Sequence, residues 1–208
     1  TVEYSYTIRY KGTLFYPTYY LQFSDESTQW SQFSVSVPKD LDIRYKNKNT
    51  QLKPERKEDG KRVYYTWKVE NLPAFDYEKG SIGQYPYVML APNRFKYDDY
   101  QGDLSSWKNF GEWVFRLYKG LDELPPDRVQ FFQQLVSPGK TDREKIEIIY
   151  HYLQKNFRYV SIQLGIGGFR PFSASFTDQK KYGDCKALSN FTAAALKAVG
   201  IKSYLAII

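Results

Sequence analysis

Tyr182-Gly183-Asp184-Cys185-Lys186-Ala187-Leu188-Ser189-Asn190-Phe191-Thr192-Ala193-Ala194-Ala195-Leu196-Lys197-Ala198-Val199-Gly200 sets the only cysteine of the 208-residue chain at the first turn of a helix. Asp184 is a favourable N-cap, Gly200 a favourable stop just past the end, and the alanine-rich interior is strongly helix-forming. A thiol at that position lies among backbone N–H groups that have no acceptor within the helix. It also sits at the positive end of the helix dipole, and both features favour the thiolate, the form that attacks a carbonyl. The same spacing supports a second reading. Cys185, Leu188, Thr192, Ala195 and Val199 fall on one helical stripe, so Cys185 also reads as a small buried hydrophobe.

Working outward, Tyr182-Gly-Asp-Cys-Lys186, the helix pattern Phe191-Thr-Ala-Ala-Ala-Leu-Lys-Ala-Val-Gly-Ile201 and the run Lys202-Ser-Tyr-Leu-Ala-Ile-Ile208 resemble the nucleophile segment of the transglutaminase-like cysteine enzymes. Tyr150-His-Tyr-Leu-Gln-Lys-Asn-Phe-Arg-Tyr159 is similar to the helix that leads into that core. The loop Gly165-Ile-Gly-Gly-Phe-Arg-Pro171 resembles a bacterial branch in which a β-rich domain of uncharacterised function precedes the core. Residues 1 to about 120, with Ser105-Ser-Trp107 and Phe110-Gly-Glu-Trp113, resemble that partner domain.

The resemblance implies an α+β protein: an N-terminal antiparallel β-sandwich-like domain over 1–121, then the helical N-terminal half of a papain-like, transglutaminase-like core over 126–208. It also implies chemistry. Members of the superfamily use a Cys, a His and an Asp in that chain order, forming a thioester on the cysteine. Such a nucleophile needs a base to take its proton and a third group to orient the base. No histidine follows Cys185 within the 23 residues to Ile208. The only histidine, His151, precedes it on another helix, beside Tyr150 and Tyr152, and reads as a surface or boundary residue. The expectation is therefore a fragment of a longer enzyme or an inactive relative. The apolar run Leu205-Ala206-Ile207-Ile208, expected to be the first strand of the core sheet, favours the fragment.

Around the cysteine, Gly183 reads as a close-approach or turn glycine and Asp184 as the cap. Lys180, Lys181 and Lys186 supply positive charge. Tyr182 reads as a packing residue, a wall of a substrate slot, or an oxyanion donor. The backbone N–H of Cys185 is a natural oxyanion donor, and Gln163 offers a second amide from the preceding extended stretch, Tyr159 to Gln163. The glycine loop has neither the lysine nor the spacing of a phosphate cradle and reads as a cleft edge. No His, Cys or carboxylate grouping has metal-ligand spacing, so neither metal nor cofactor is expected.

Composition bounds the rest. A net charge of +7 concentrates between Arg44 and Arg62, but Glu55, Glu58 and Asp59 interleave with the cations around an Asp-Gly turn. That is a solvated hairpin, and no nucleic-acid partner is expected. There is no membrane-spanning run. One cysteine, one methionine, 20 Tyr, 14 Phe and 4 Trp suit an extracytoplasmic, periplasmic or cell-envelope protein whose signal peptide has been removed. The expected partner is a peptide or protein substrate, cell-wall or glycan related. The competing expectation is a non-catalytic envelope module that binds a glycan or peptide through its aromatic β-domain, on an inactive transglutaminase-like scaffold.

Along the chain, Val2, Tyr4, Tyr6, Ile8 and Tyr10 alternate with polar residues and predict a strand, as do Phe33-Val35-Val37, Leu41-Ile43-Tyr45, Val63-Tyr65-Trp67-Val69 and Tyr85 to Leu90. The charged stretch Pro54 to Gly60 predicts a hairpin tip. Ser105 or Ser106 can cap a helix with Trp107, Phe110, Val114 and Leu117 on one face. Asp122 to Pro126 is the expected boundary. A short helix follows to Val136, and Thr141-Asp-Arg-Glu144 is a capping box opening a helix lined by Ile146, Ile149, Leu153 and Phe157.

Overall fold

The computed structural model describes residues 1–12, 14–41, 43–74 and 85–207. The chain forms two compact units, Thr1–Phe110 and Gly111–Ile208.

In the first unit, β1 (Tyr19–Tyr20), β2 (Thr28–Pro38), β3 (Ile43–Lys48), β4 (Glu55–Glu58), β5 (Arg62–Leu72) and β6 (Tyr87–Pro92) make two three-stranded antiparallel sheets, ordered β2-β5-β4 and β1-β6-β3. β2 and β5 pair over their whole length, from Thr28 opposite Leu72 to Pro38 opposite Arg62. Alternation then sends Phe33, Val35, Val63, Tyr65 and Trp67 to one face. That face packs on Leu21 and Val88 of the other sheet region, with Trp67 fully buried between them. Rings reinforce the contact: Tyr45 of β3 meets Trp67 edge-on at 5.5 Å, and Phe33 stacks on Trp67 at 5.7 Å. A hairpin of β7 (Arg94–Tyr97) and β8 (Tyr100–Asp103) completes the strands.

Two strand expectations change. Residues 2–10 alternate cleanly yet form no strand, and their apolar members are exposed, Val2 at 88% and Tyr6 at 74%. Periodicity creates a face, but a strand also needs a neighbouring edge to take its backbone bonds. The stretch ahead of Asp59 is a strand, β4, rather than a tip: it pairs with β5 from Glu55–Thr66 to Glu58–Val63. The turn itself is as expected. Asp59 Oδ1 accepts from Arg62 N at 2.9 Å, and Gly60 takes φ +83°.

Helix α1 (Trp107–Tyr118) starts under the Ser106 hydroxyl, which accepts from Asn109 N at 3.1 Å. Its buried residues are Trp113 and Leu117, whereas Trp107 is 88% exposed. In the second unit, α2 (Pro126–Leu135), α3 (Asp142–Asn156), α4 (Ala174–Lys180) and α5 (Cys185–Ala198) surround one core. That core holds Phe132, Ile149, Ala174, Phe191, Ala194 and Ala195. The capping box is present on both sides: Glu144 N donates to Thr141 Oγ1 at 3.3 Å and Thr141 N to Glu144 Oε2 at 3.1 Å. The short helix α4, absent from the sequence reading, is capped by Ser173, whose hydroxyl accepts from Phe176 N at 3.2 Å. Strands β9 (Arg158–Tyr159) and β10 (Tyr182–Gly183) pair in parallel. Residues 201–207 form no strand, contrary to expectation, because among the described residues no strand runs beside them; Ile208 lies outside those residues.

Candidate active site

The site is built where β10 turns into α5. Gly183 is buried, and a Cβ there would lie 2.7 Å from the Ala187 methyl carbon. Only glycine lets the strand approach the first turn of the helix this closely. The parallel pairing holds this strand in place: Arg158 N donates to Lys181 O and Val160 N to Gly183 O, each at 3.0 Å. Asp184 then caps α5, its Oδ1 accepting from Ala187 N at 3.0 Å and its backbone carbonyl from Leu188 N at 2.9 Å.

Cys185 follows at the first helical position, and its side chain is exposed. The reading as a small buried hydrophobe is therefore set aside. α5 buries a different stripe, Ala187, Asn190, Phe191, Ala194 and Ala195, one position round from the one spacing suggested. The N–H groups of Cys185 and Lys186 have no acceptor among the described residues, as the first turn of a helix dictates. Asp184, only 4% exposed, is ion-paired through Oδ2 to Lys186 Nζ. The carboxylate that would repel a thiolate is thus offset by a cation one residue beyond the sulfur.

The other candidates are distributed unevenly. Tyr182 is half-buried on β10 and meets Phe176 of α4 edge-on at 6.3 Å. Gln163 is exposed, but β9, which runs into its segment, lies beside β10, so the two stretches flank the same strand pair. His151 is exposed on α3 and shares a 3.1 Å hydrogen bond with Gln154 of its own helix. No described interaction joins it to Cys185. The glycine loop is a single 3-10 turn, Gly165–Gly168, with Gly165 at φ +52°.

Sequence reading missed two features. The first is a buried cluster behind β10. Asp178 takes Arg128 Nε at 2.6 Å, Arg128 Nη2 at 3.0 Å and Lys181 Nζ at 2.7 Å, and both cations also donate to the Tyr152 hydroxyl at 3.1 Å. Burial lowers the tendency of Arg128 to hold its proton, but the Asp178 bonds outweigh it and the net direction is up. Lys181 ends α4 in the left-handed conformation, φ 57°, and passes straight into β10. The cluster therefore pins the point from which Tyr182, Gly183 and Cys185 extend. A surface cleft lined by Pro125, Arg128, Ser175, Phe176, Asp178 and Gln179 adjoins it and does not include Cys185. The second missed feature is Tyr118, the last residue of α1. Its phenol is pushed up by burial first, then by the nearby charge of Asp184 and Cys185. Its signal was present, since Tyr118 follows Phe110 and Val114 at helical spacing.

Among the described residues no three His, Cys, Asp or Glu side chains are grouped to hold a metal ion. No described helix is long and apolar enough to cross a membrane.

Residues 1–76 match the family described as a domain of unknown function with solved structure, DUF3857, and residues 129–207 match the transglutaminase-like superfamily. No curated protein matches the chain. A crystal structure of a protein from Parabacteroides distasonis, described as a "putative protease", superposes with a TM-score of 0.60 at 18% identity. The match covers 93% of this chain but 36% of that one, so the chain spans about a third of its neighbour's length. The chain therefore carries a DUF3857 domain followed by a transglutaminase-like core.

Proposed function

We propose that the second unit is the nucleophile-bearing part of a cysteine hydrolase or acyltransferase that acts on peptide or amide bonds. The observation that carries this reading is the exposed Cys185 at the capped start of α5, inside the residues that match the superfamily. The Cys185 thiolate would add to an amide carbonyl carbon, and the C–N bond would then break, the amine leaving with a proton and the acyl group staying as a thioester. Water or a second amine would take the acyl group and return the thiolate. The free N–H groups of the first turn would hold the oxyanion, with Gln163 or Tyr182 as a second donor. The reading calls for an acid/base His and an orienting Asp later in the protein than the cysteine, in the order the superfamily uses. The extracytoplasmic setting expected from composition and the peptide substrate belong to the same proposal.

The test is turnover of a peptide-amide library by the protein extended past Ile208. Cys185→Ser reduces release of amine to background while the melting temperature stays within about 2 °C. An active Cys185→Ser protein refutes the nucleophile. A second reading, binding of a glycan or peptide by the β-rich unit, draws on its exposed ring cluster: Tyr20, 44% exposed, lies 6.3 Å from Phe23 and 5.5 Å from Tyr87. It prevails if Cys185→Ser leaves the biological activity intact and Tyr20→Ala removes it.

A further inference from the structure

We propose that residues 2–10 are an interaction surface for a second copy of this chain, the two segments pairing antiparallel about Tyr6 as the strands of a symmetric ribbon. The pairing is independent of the chemistry proposed at Cys185. At Leu14 the chain has entered the buried part of the first unit, whereas Val2, Tyr4, Tyr6, Ile8 and Tyr10 stand 49% to 88% exposed. Among the described residues, no backbone N–H or C=O between Thr1 and Lys11 takes part in a backbone hydrogen bond. The rings of Tyr4 and Tyr6 are stacked, 6.2 Å apart and 11° from parallel, so these alternate residues already share one side of the chain. A row of unpaired backbone groups with one apolar and one polar face is a template for another strand.

The residues of the segment select the strand that fits it. Val2-Glu3-Tyr4-Ser5-Tyr6-Thr7-Ile8-Arg9-Tyr10 is complementary to itself read backwards about Tyr6. Antiparallel pairing of two copies puts Glu3 opposite Arg9, Tyr4 opposite Ile8, Val2 opposite Tyr10, Ser5 opposite Thr7, and Tyr6 opposite its own counterpart. Every apolar side chain then faces an apolar one and each carboxylate faces a guanidinium, the favourable cross-strand combinations. Parallel in-register pairing would set Glu3 on Glu3 and Arg9 on Arg9. A slip of one residue would mix the polar and apolar faces. A slip of two, centred on Thr7, would trade the Val2–Tyr10 contact for Val2 against Gly12. The contact uses the same surface on both copies and therefore gives a dimer. It supplies on the order of ten backbone hydrogen bonds, and because a two-stranded ribbon alone is marginal in water, the dimer is a weak one.

The test is sedimentation velocity of the whole protein, with Cys185→Ser as the background so that no other thiol is present. The protein sediments as one chain at about 1 µM and as two at about 200 µM. Glu3→Arg or Arg9→Glu alone sets like charges opposite each other at both ends of the ribbon and weakens the dimer about tenfold, and the two changes together restore it. In oxidising buffer Tyr6→Cys locks the dimer through a disulfide. Thr7→Cys does not, because with Tyr6 at the centre its Cα and its counterpart's lie beyond the roughly 7 Å that a disulfide spans. All variants keep the melting temperature of the background, since the segment has no backbone pairing within the chain to lose. A single chain at about 200 µM overturns the proposal. So do single charge changes without effect, a double change that fails to restore the dimer, cross-linking through Thr7→Cys, or a dimer that survives deletion of residues 1–10.

Discussion

Among the described residues each unit has a carboxylate held by two cations, and the contrast between them shows how burial decides the worth of the same chemistry. In the β-rich unit, Glu58 takes Lys39 Nζ at 3.0 Å and pairs with Arg56 on its own strand, and its side chain is 32% exposed. In the helical unit, Asp178 takes Arg128 at 2.6 Å and Lys181 at 2.7 Å and is 9% exposed. The second cluster is also walled by rings: Arg128 sits 4.0 Å from the centroid of Phe131 and Lys181 4.8 Å from that of Phe157. Water and salt screen every member of the first arrangement, whereas in the second they reach Lys181, 40% exposed, more than Arg128 at 21% or Asp178 at 9%. The first decorates a hairpin, whereas the second sets the position of β10 and, through it, of Cys185.

The largest expected effect is at Asp178. Asp178→Ala leaves two partly buried cations without their carboxylate and destabilises by about 3–5 kcal/mol, read from urea unfolding. A loss under 1 kcal/mol would mean that the two clusters differ less than their burial implies. Next comes the strand that the buried cluster positions. Gly183→Ala forces a Cβ to 2.7 Å from Ala187 and costs about 1–3 kcal/mol, with the α5 start displaced and Cys185 alkylation altered. A fully stable, normally reactive Gly183→Ala protein would break the link between β10 and the thiol.

The smallest effect belongs to the exposed cluster, and its pH dependence gives the sharpest form of the contrast. The Glu58 carboxyl is held below its ordinary range by the bond from Lys39 first and then by Arg56. Its contribution is therefore present above the unfolded value of about 4.3 and disappears as pH falls through the lower folded value. In the helical unit, Lys197 is held above its ordinary range chiefly by its bond to Asp122. Its contribution is present below about 10.4 and disappears as pH rises through the higher folded value. Thermal melts from pH 2 to 11 with Glu58→Gln and Lys197→Met should show each variant losing its difference from the wild type at its own end of the scale. Added salt at about 0.5 M should erase the Glu58→Gln effect and leave that of Asp178→Ala.

Much of the local structure was legible in the residues. The Asp184 and Gly200 ends of α5, the Thr141–Glu144 box and the Asp59-Gly60 turn each need only neighbours a few positions apart. All three stand as read. The antiparallel β-rich half and helical second half followed from the change of period. The failures have a common cause. Residues 2–10 carry a strand pattern without a paired edge, and β4 carries a tip composition with one. In both, the deciding bond lies with a distant segment that periodicity does not encode. The site divides in the same way. Cys185, its cap and the close-approach glycine are contiguous, while Arg128, Tyr152, Asp178 and Lys181 meet across more than 50 residues of chain.

The sequence by itself determined the cysteine at a helix start, the cap that holds it and the glycine ahead of it, because backbone hydrogen bonds within one turn are local. Only the tertiary structure decided that the thiol is exposed rather than part of the buried stripe, since burial depends on which face of α5 meets Phe132 and Phe157. It also decided which distant group meets the cysteine helix: the buried Asn190 amide of α5 finds its acceptor at the Leu121 carbonyl, 69 positions earlier. A polar group taken out of water must find its partner wherever the fold puts one, and that requirement fixes distances that no local pattern records.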